Sequence, residues 1–62
     1  MEQAERIRSE RERLNWSLNR LAREAGVSAE TVRKAETGRP VLPSNLMCIN
    51  AALMYGYGSQ HK

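Results

Sequence analysis

The chain has 62 residues, with 10 Lys and Arg against 7 Asp and Glu, a formal charge of +3 and 40% hydrophobic residues. One small globular domain is the most this length holds, and folding buries only roughly 60% of the surface its unfolded chain exposes. A lone cysteine, Cys48, and a lone histidine, His61, exclude an intrachain disulfide and a cysteine-rich metal site. No apolar run approaches the roughly 20 residues of a membrane span. The charged opening does not read as a signal peptide, so a cytoplasmic location is expected. No alternating run of β-branched or aromatic residues signals a strand, so the expected class is all-α.

The first helix is expected roughly from Gln3 to Arg13. Ala4, Ile7, Arg11 and Leu14 recur at spacings of three and four and form one face. The opposite face pairs Arg6 with Glu10 and Arg8 with Glu12 at i,i+4. Four Arg balance four Glu in residues 1–13, so the whole excess of positive charge lies in residues 14–62. Asn15-Trp16-Ser17 breaks this helix, because Asn tolerates the left-handed conformation that ends helices. Ser17 caps a second helix, about Leu18 to Ala25, and Trp16 is placed to staple onto Leu21. Gly26 ends it.

Val27-Ser28 repeats this start. Ser28 caps a third helix, about Ala29 to Thr37, Val27 staples to Val32, and Glu30 suits the positive end of the helix dipole. Gly38 stops it. Arg39-Pro40-Val41-Leu42-Pro43 reads as an extended loop, since proline restricts itself and the residue before it. Ser44 caps a fourth helix, about Asn45 to Met54, with Leu46, Ile49, Ala52 and Leu53 inward. Tyr55-Gly56-Tyr57-Gly58 reads as frayed, and residues 59–62 as a disordered tail. The domain is thus expected over residues 1–58, with Cys48 as a small buried hydrophobe.

The second and third helices meet at Gly26 through a short turn. Counting from Leu18, the fifth residue is the small Ala22, the ninth is Gly26 and the fifteenth is Val32. Ala22 lets the helix axes approach closely, Gly26 takes the positive φ of a sharp turn, and Val32 closes a small core. This is a helix-turn-helix pattern, whose second helix enters the DNA major groove.

The residues that carry this pattern also resemble a known family. Ile7-Arg8-Ser9-Glu10-Arg11, Leu21 to Ser28 and Thr31 to Arg39 look like the Cro/phage-repressor-type helix-turn-helix domain of bacterial and phage transcription regulators. Leu46–Leu53 looks like that family's fourth helix. The resemblance covers about residues 4–54. It implies a small lambda-repressor-like domain of four helices, or five.

The resemblance also implies residue roles. Arg11 matches an arginine that pairs with the glutamate matched by Glu36, a structural tie, with a phosphate contact as the other reading of Arg11. Ala29, Glu30 and Lys34 match base-reading positions, and Thr31 and Arg33 lie beside them. In the groove, Glu30 suits cytosine N4, Arg33 or Lys34 suits guanine, and Ala29 suits a thymine methyl. The plainer alternative is that Glu30 serves only the helix dipole and the two cations only solvate a helix. Phosphate contacts fall to the helix starts at Ser17 and Ser28, to Arg39 and to Arg20. Arg23 stays open between a backbone contact and a solvated charge. Three features depart from the family. Leu18 stands where a glutamine usually opens the second helix, which exposes an apolar side chain. Pro40 and Pro43 alter the linker, and no fifth helix is evident.

A single such domain reads few base pairs, so a homodimer on a palindromic double-stranded operator is expected. The candidate interface is Leu42, Met47, Met54, Tyr55 and Tyr57; the alternative is that Met47, Cys48 and Met54 complete the core. The main reading is a sequence-specific transcriptional regulator, a repressor of phage, plasmid or mobile-element type. The alternative is a protein-interaction module of the same fold, an antitoxin or accessory subunit, with DNA binding secondary. Exposed Leu18, Met47 and Tyr55 would favour it. No nucleophile–base pair, metal-ligand set or phosphate-cradling loop is present, so no enzyme, cofactor, metal or small-molecule substrate is expected, and no membrane partner.

Overall fold

A computed structural model describes the backbone of residues 2–60 and the side chains of residues 3–56. Among these residues there are four α-helices and no strand: α1 (Glu2–Arg13), α2 (Leu18–Ala25), α3 (Ala29–Glu36) and α4 (Pro43–Gln60). His61 and Lys62 and the side chain of Tyr57 lie outside the described residues.

The first three helices stop in the same way. Asn15, Gly26 and Gly38 each take a left-handed φ, of 61°, 75° and 78°. The next residue then donates its N–H back into the final turn: Trp16 to the Arg11 carbonyl at 3.1 Å, Val27 to Ala22 at 3.0 Å and Arg39 to Lys34 at 2.9 Å. Each bond satisfies a carbonyl that the end of a helix would leave bare. Ser17 and Ser28 cap the next helices, accepting from the N–H groups of Arg20 at 3.0 Å and Thr31 at 3.1 Å. α3 ends one residue earlier than its sequence suggests. Thr37 is its cap, and the Thr37 hydroxyl donates to the Arg33 and Lys34 carbonyls.

The core sits where all four helices converge. Ile7, Leu21, Val32, Ile49 and Leu53 are fully buried, with Leu14, Trp16, Ala22, Ala35 and Ala52 around them. Leu18, Ala25, Val27, Val41 and Leu46 pack against this cluster from its edge. Leu18 is therefore half-buried on the core and not the bare apolar residue its place at the start of α2 suggests.

α4 departs most from its expected form. Ser44 does not cap it: the helix begins at Pro43, and the Leu42 carbonyl accepts from the N–H groups of Asn45 and Leu46. Proline suits the first helical position, where its fixed φ is already helical and its missing N–H costs nothing. At the other end the helix runs through Tyr55 to Gly58 instead of fraying, and on through Ser59 and Gln60, residues the sequence assigns to the tail. Glycine in a helix costs about 1 kcal/mol relative to Ala, but Gly56 is buried against the Trp16 ring. Packing there outweighs propensity. The inward stripe is Ile49, Ala52, Leu53 and Gly56, which turns Cys48 outward. Cys48 is exposed and not a core residue. Met47, Met54 and Tyr55 are likewise exposed, by 70% or more, so they do not complete the core.

A Cβ on Gly56 would overlap Cη2 and Cζ2 of Trp16 and stand 3.1 Å from Leu14 Cδ1. Gly56→Val is expected to destabilise the fold by about 1–3 kcal/mol despite its better helix propensity. Thermal unfolding reads this, and a variant melting at or above the wild-type temperature would show that α4 does not pack on the indole here.

Candidate nucleic-acid interface

α3 spans eight residues, about 12 Å at roughly 1.5 Å per residue. Val32 and Ala35 bury its inner face. The spacing of Glu30, Arg33, Lys34 and Thr37 puts them on the other side, and with Arg39 they line a shallow depression of about 270 Å³. Three cations and one carboxylate share this surface. Glu30, Arg33 and Arg39 are exposed, while Lys34, Ala29 and Thr31 are half-buried. Thr31 also serves the cap, since its Oγ1 lies 2.8 Å from Ser28 Oγ.

Arg11 fixes where α3 stands. Its Nε donates to Glu36 Oε2 at 2.6 Å and its Nη2 to Glu36 Oε1 at 3.1 Å. Its Nη1 donates to the Trp16 carbonyl at 2.8 Å. The two side chains are only 13% and 7% exposed. The hydrogen bond to Glu36 raises the Arg11 pKa above its ordinary value, outweighing the burial that lowers it. This keeps the guanidinium in its charged form beside the carboxylate. Its fork joins α1, the turn into α2 and the last turn of α3.

The structure brings the other sequence-derived candidates to the same side only in part. Ser17 and Ser28 are exposed at the starts of α2 and α3, and Gly26 is the left-handed turn between these helices. Arg20 lies along α2, donating to Glu24 at 3.1 Å, with its Cζ 4.9 Å from the centroid of the Trp16 ring. Leu42, just before α4, and Met47, Met54 and Tyr55 on it are 66% to 76% exposed, and none of them lines the depressions beside α3. Two features escaped the sequence reading. Trp16 roofs the junction of α1, α2 and α4 and carries Arg20 on its outer face; the i,i+4 spacing of Trp16, Arg20 and Glu24 signals this arrangement. Arg8 shares a depression with Leu18 and Arg33, although its i,i+4 pairing with Glu12 reads as an ordinary solvated face.

A family model described as a helix-turn-helix domain matches residues 2–58. The chain belongs to the helix-turn-helix domain family. This makes it a member of a DNA-binding family typical of regulators, with double-stranded DNA as the partner that the family implies. Comparison with curated proteins and with solved structures finds no match. Within the helix-turn-helix fold seen here, α2 and α3 are the paired helices; α2 carries the exposed Arg20 and Arg23, and α3 the exposed Arg33 beside the half-buried Lys34. No helix among the described residues is long and apolar enough to cross a membrane.

Removing one partner of the Arg11–Glu36 pair strands a buried charge. Glu36→Ala is expected to cost on the order of 3 kcal/mol, with Glu36→Gln, which keeps one acceptor, intermediate. Glu10→Ala, which breaks the exposed Arg6 pair, should change stability by less than about 0.5 kcal/mol. Chemical denaturation distinguishes them: equal effects of the two alanine variants would mean that Arg11 is solvated and does not tie α1 to α3.

Proposed function

We propose that this chain is a sequence-specific double-stranded DNA-binding transcriptional regulator, a repressor of phage, plasmid or mobile-element type, that inserts α3 into the major groove. The carrying observation is the surface formed by Glu30, Arg33 and Lys34 on α3 and by Arg39 just after it, α3 being a short helix capped by Ser28 at its start and tied to Arg11 through Glu36 at its end. Arg33 and Lys34 suit the guanine edge, Glu30 suits cytosine N4, and Ala29 and Thr31 offer methyl groups to thymine. Ser17, Ser28, Arg20 and Arg39 supply phosphate contacts, which position the domain and carry no sequence information. The repressor reading is supported by the resemblance to the Cro/phage-repressor type. A repressor acting this way occludes a promoter, and its occupancy follows its own concentration.

The domain acts as a homodimer on a palindromic operator. The support for this is α4, whose 18 residues carry no charge and whose Met47, Ala51, Met54 and Tyr55 are exposed at helical spacing. Exposed Met and Tyr without charge are what interface centres favour. The same surface is the observation that favours a second reading, a protein-interaction module (an antitoxin or accessory subunit) in which a different protein covers α4.

Selection of bound duplexes from a random pool tests the main reading. A palindrome with half-sites about one helical turn apart is expected for a dimer. No enrichment, with weak salt-sensitive binding alone, would favour the protein partner. On the selected duplex, Arg33→Ala or Lys34→Ala should cost about 1–3 kcal/mol at one base position. Arg39→Ala should weaken all sequences alike and lower the salt slope by about 1. Met47→Glu should yield a monomer in sedimentation analysis that retains half-site binding.

A further inference from the structure

α1, α2 and α3 enclose a second depression, of about 270 Å³, lined by Arg8, Arg11, Glu12, Leu18, Arg33, Glu36 and Thr37. Arg11 and Glu36 neutralise each other within it. What remains is Arg8 and Arg33, one carboxylate, Glu12, and the half-buried side chain of Leu18 as an apolar floor. The guanidinium of Arg33 has no ion-pair partner among the described residues. Arg8 is held only by Glu12, at 3.3 Å, with the two side chains 64% and 56% exposed. An exposed i,i+4 pair of this kind is among the weakest interactions in a protein, so a stronger anion displaces the carboxylate readily. Arg33 lines this depression and the α3 surface alike, so the two adjoin.

We propose that this depression is a phosphate-binding site for the DNA backbone, in which Arg8 holds one phosphate beside the base-reading Arg33 and Leu18 forms its apolar side. The proposal rests on the DNA-binding reading above. With α3 in the major groove, a surface one helix away from it faces the sugar–phosphate wall of the groove and not base edges. A phosphate offers a guanidinium two oxygens in the same geometry that a carboxylate does. The apolar side of Leu18 lowers the local dielectric and strengthens the Arg8 contact. The DNA-binding face thereby extends onto α1, outside the paired helices. Glu12 is the built-in competitor for Arg8.

Arg6 supplies the control. It sits on the same helix and makes the same kind of pair, with Glu10 at 3.2 Å, but lines a different groove with Leu53 and Met54. Binding of a short duplex carrying the selected sequence is measured as a function of salt for Arg8→Gln, Arg6→Gln and Glu12→Gln. Arg8→Gln is expected to lower the salt slope by about 1 and affinity several-fold, about eightfold near 0.1 M salt if one full phosphate contact is lost. Arg6→Gln should leave the slope unchanged, and Glu12→Gln should raise affinity. Equal losses for Arg8→Gln and Arg6→Gln would reduce the effect to diffuse charge and overturn the site. So would an unchanged Arg8→Gln slope while Arg39→Ala lowers it, an outcome that leaves the DNA-binding reading standing. If the wild-type chain itself binds no duplex, both fall together. Melting temperatures of the variants, expected to match wild type, separate lost binding from lost fold.

Discussion

Arg11 touches three parts of the chain at once. Its side chain leaves α1, grips the carboxylate at the end of α3 and reaches the carbonyl of Trp16 in the turn before α2. Its own carbonyl accepts from the Trp16 N–H, so backbone and side chain close a ring around the same residue. Helices of eight residues, as α2 and α3 are, do not persist alone in water. Their positions come from the core beneath them and from this clamp beside it. A surface that reads DNA has to be held to within a fraction of an ångström. An ion pair between residues 25 apart in sequence is how a core this small does so.

The fold was legible wherever its signals are local. The starts of α2 and α3 follow from Ser17 and Ser28, and their ends from Gly26 and Gly38, because caps and left-handed stops are decided within a few residues. α4 was less legible because its bounds are decided elsewhere. Its far end depends on an indole forty residues earlier that packs on Gly56, and its near end on a proline that reads equally as loop or as first turn. Its inward face was obscured for a different reason. With no charge in the helix, polarity does not mark the solvent side, and Cys48 reads as inward although it lies one position off the buried stripe.

The candidate site divides in the same way. The cations of α3 stand out in sequence because the helix pattern places them opposite Val32 and Ala35. Arg8 does not, because an arginine four residues before a glutamate describes a solvated helix as well as it describes a displaceable pair. Only the arrangement of three helices around Leu18 separates the two. The molecule also segregates its surface chemistry. Charges gather on α1, α2 and α3, while α4 presents methionine, tyrosine, alanine and cysteine to solvent.

The placement of Trp16 has an optical consequence. It is the chain's single tryptophan, buried against Gly56 on one side and covered by the guanidinium of Arg20 on another. The emission of one indole therefore reports two separate events. Detachment of α4 exposes the ring to water and moves its spectrum to the red. Withdrawal of Arg20 toward an anion alters intensity while the ring stays dry. The native chain thus carries a fluorophore that reports the packing of α4 and the position of Arg20 without any label.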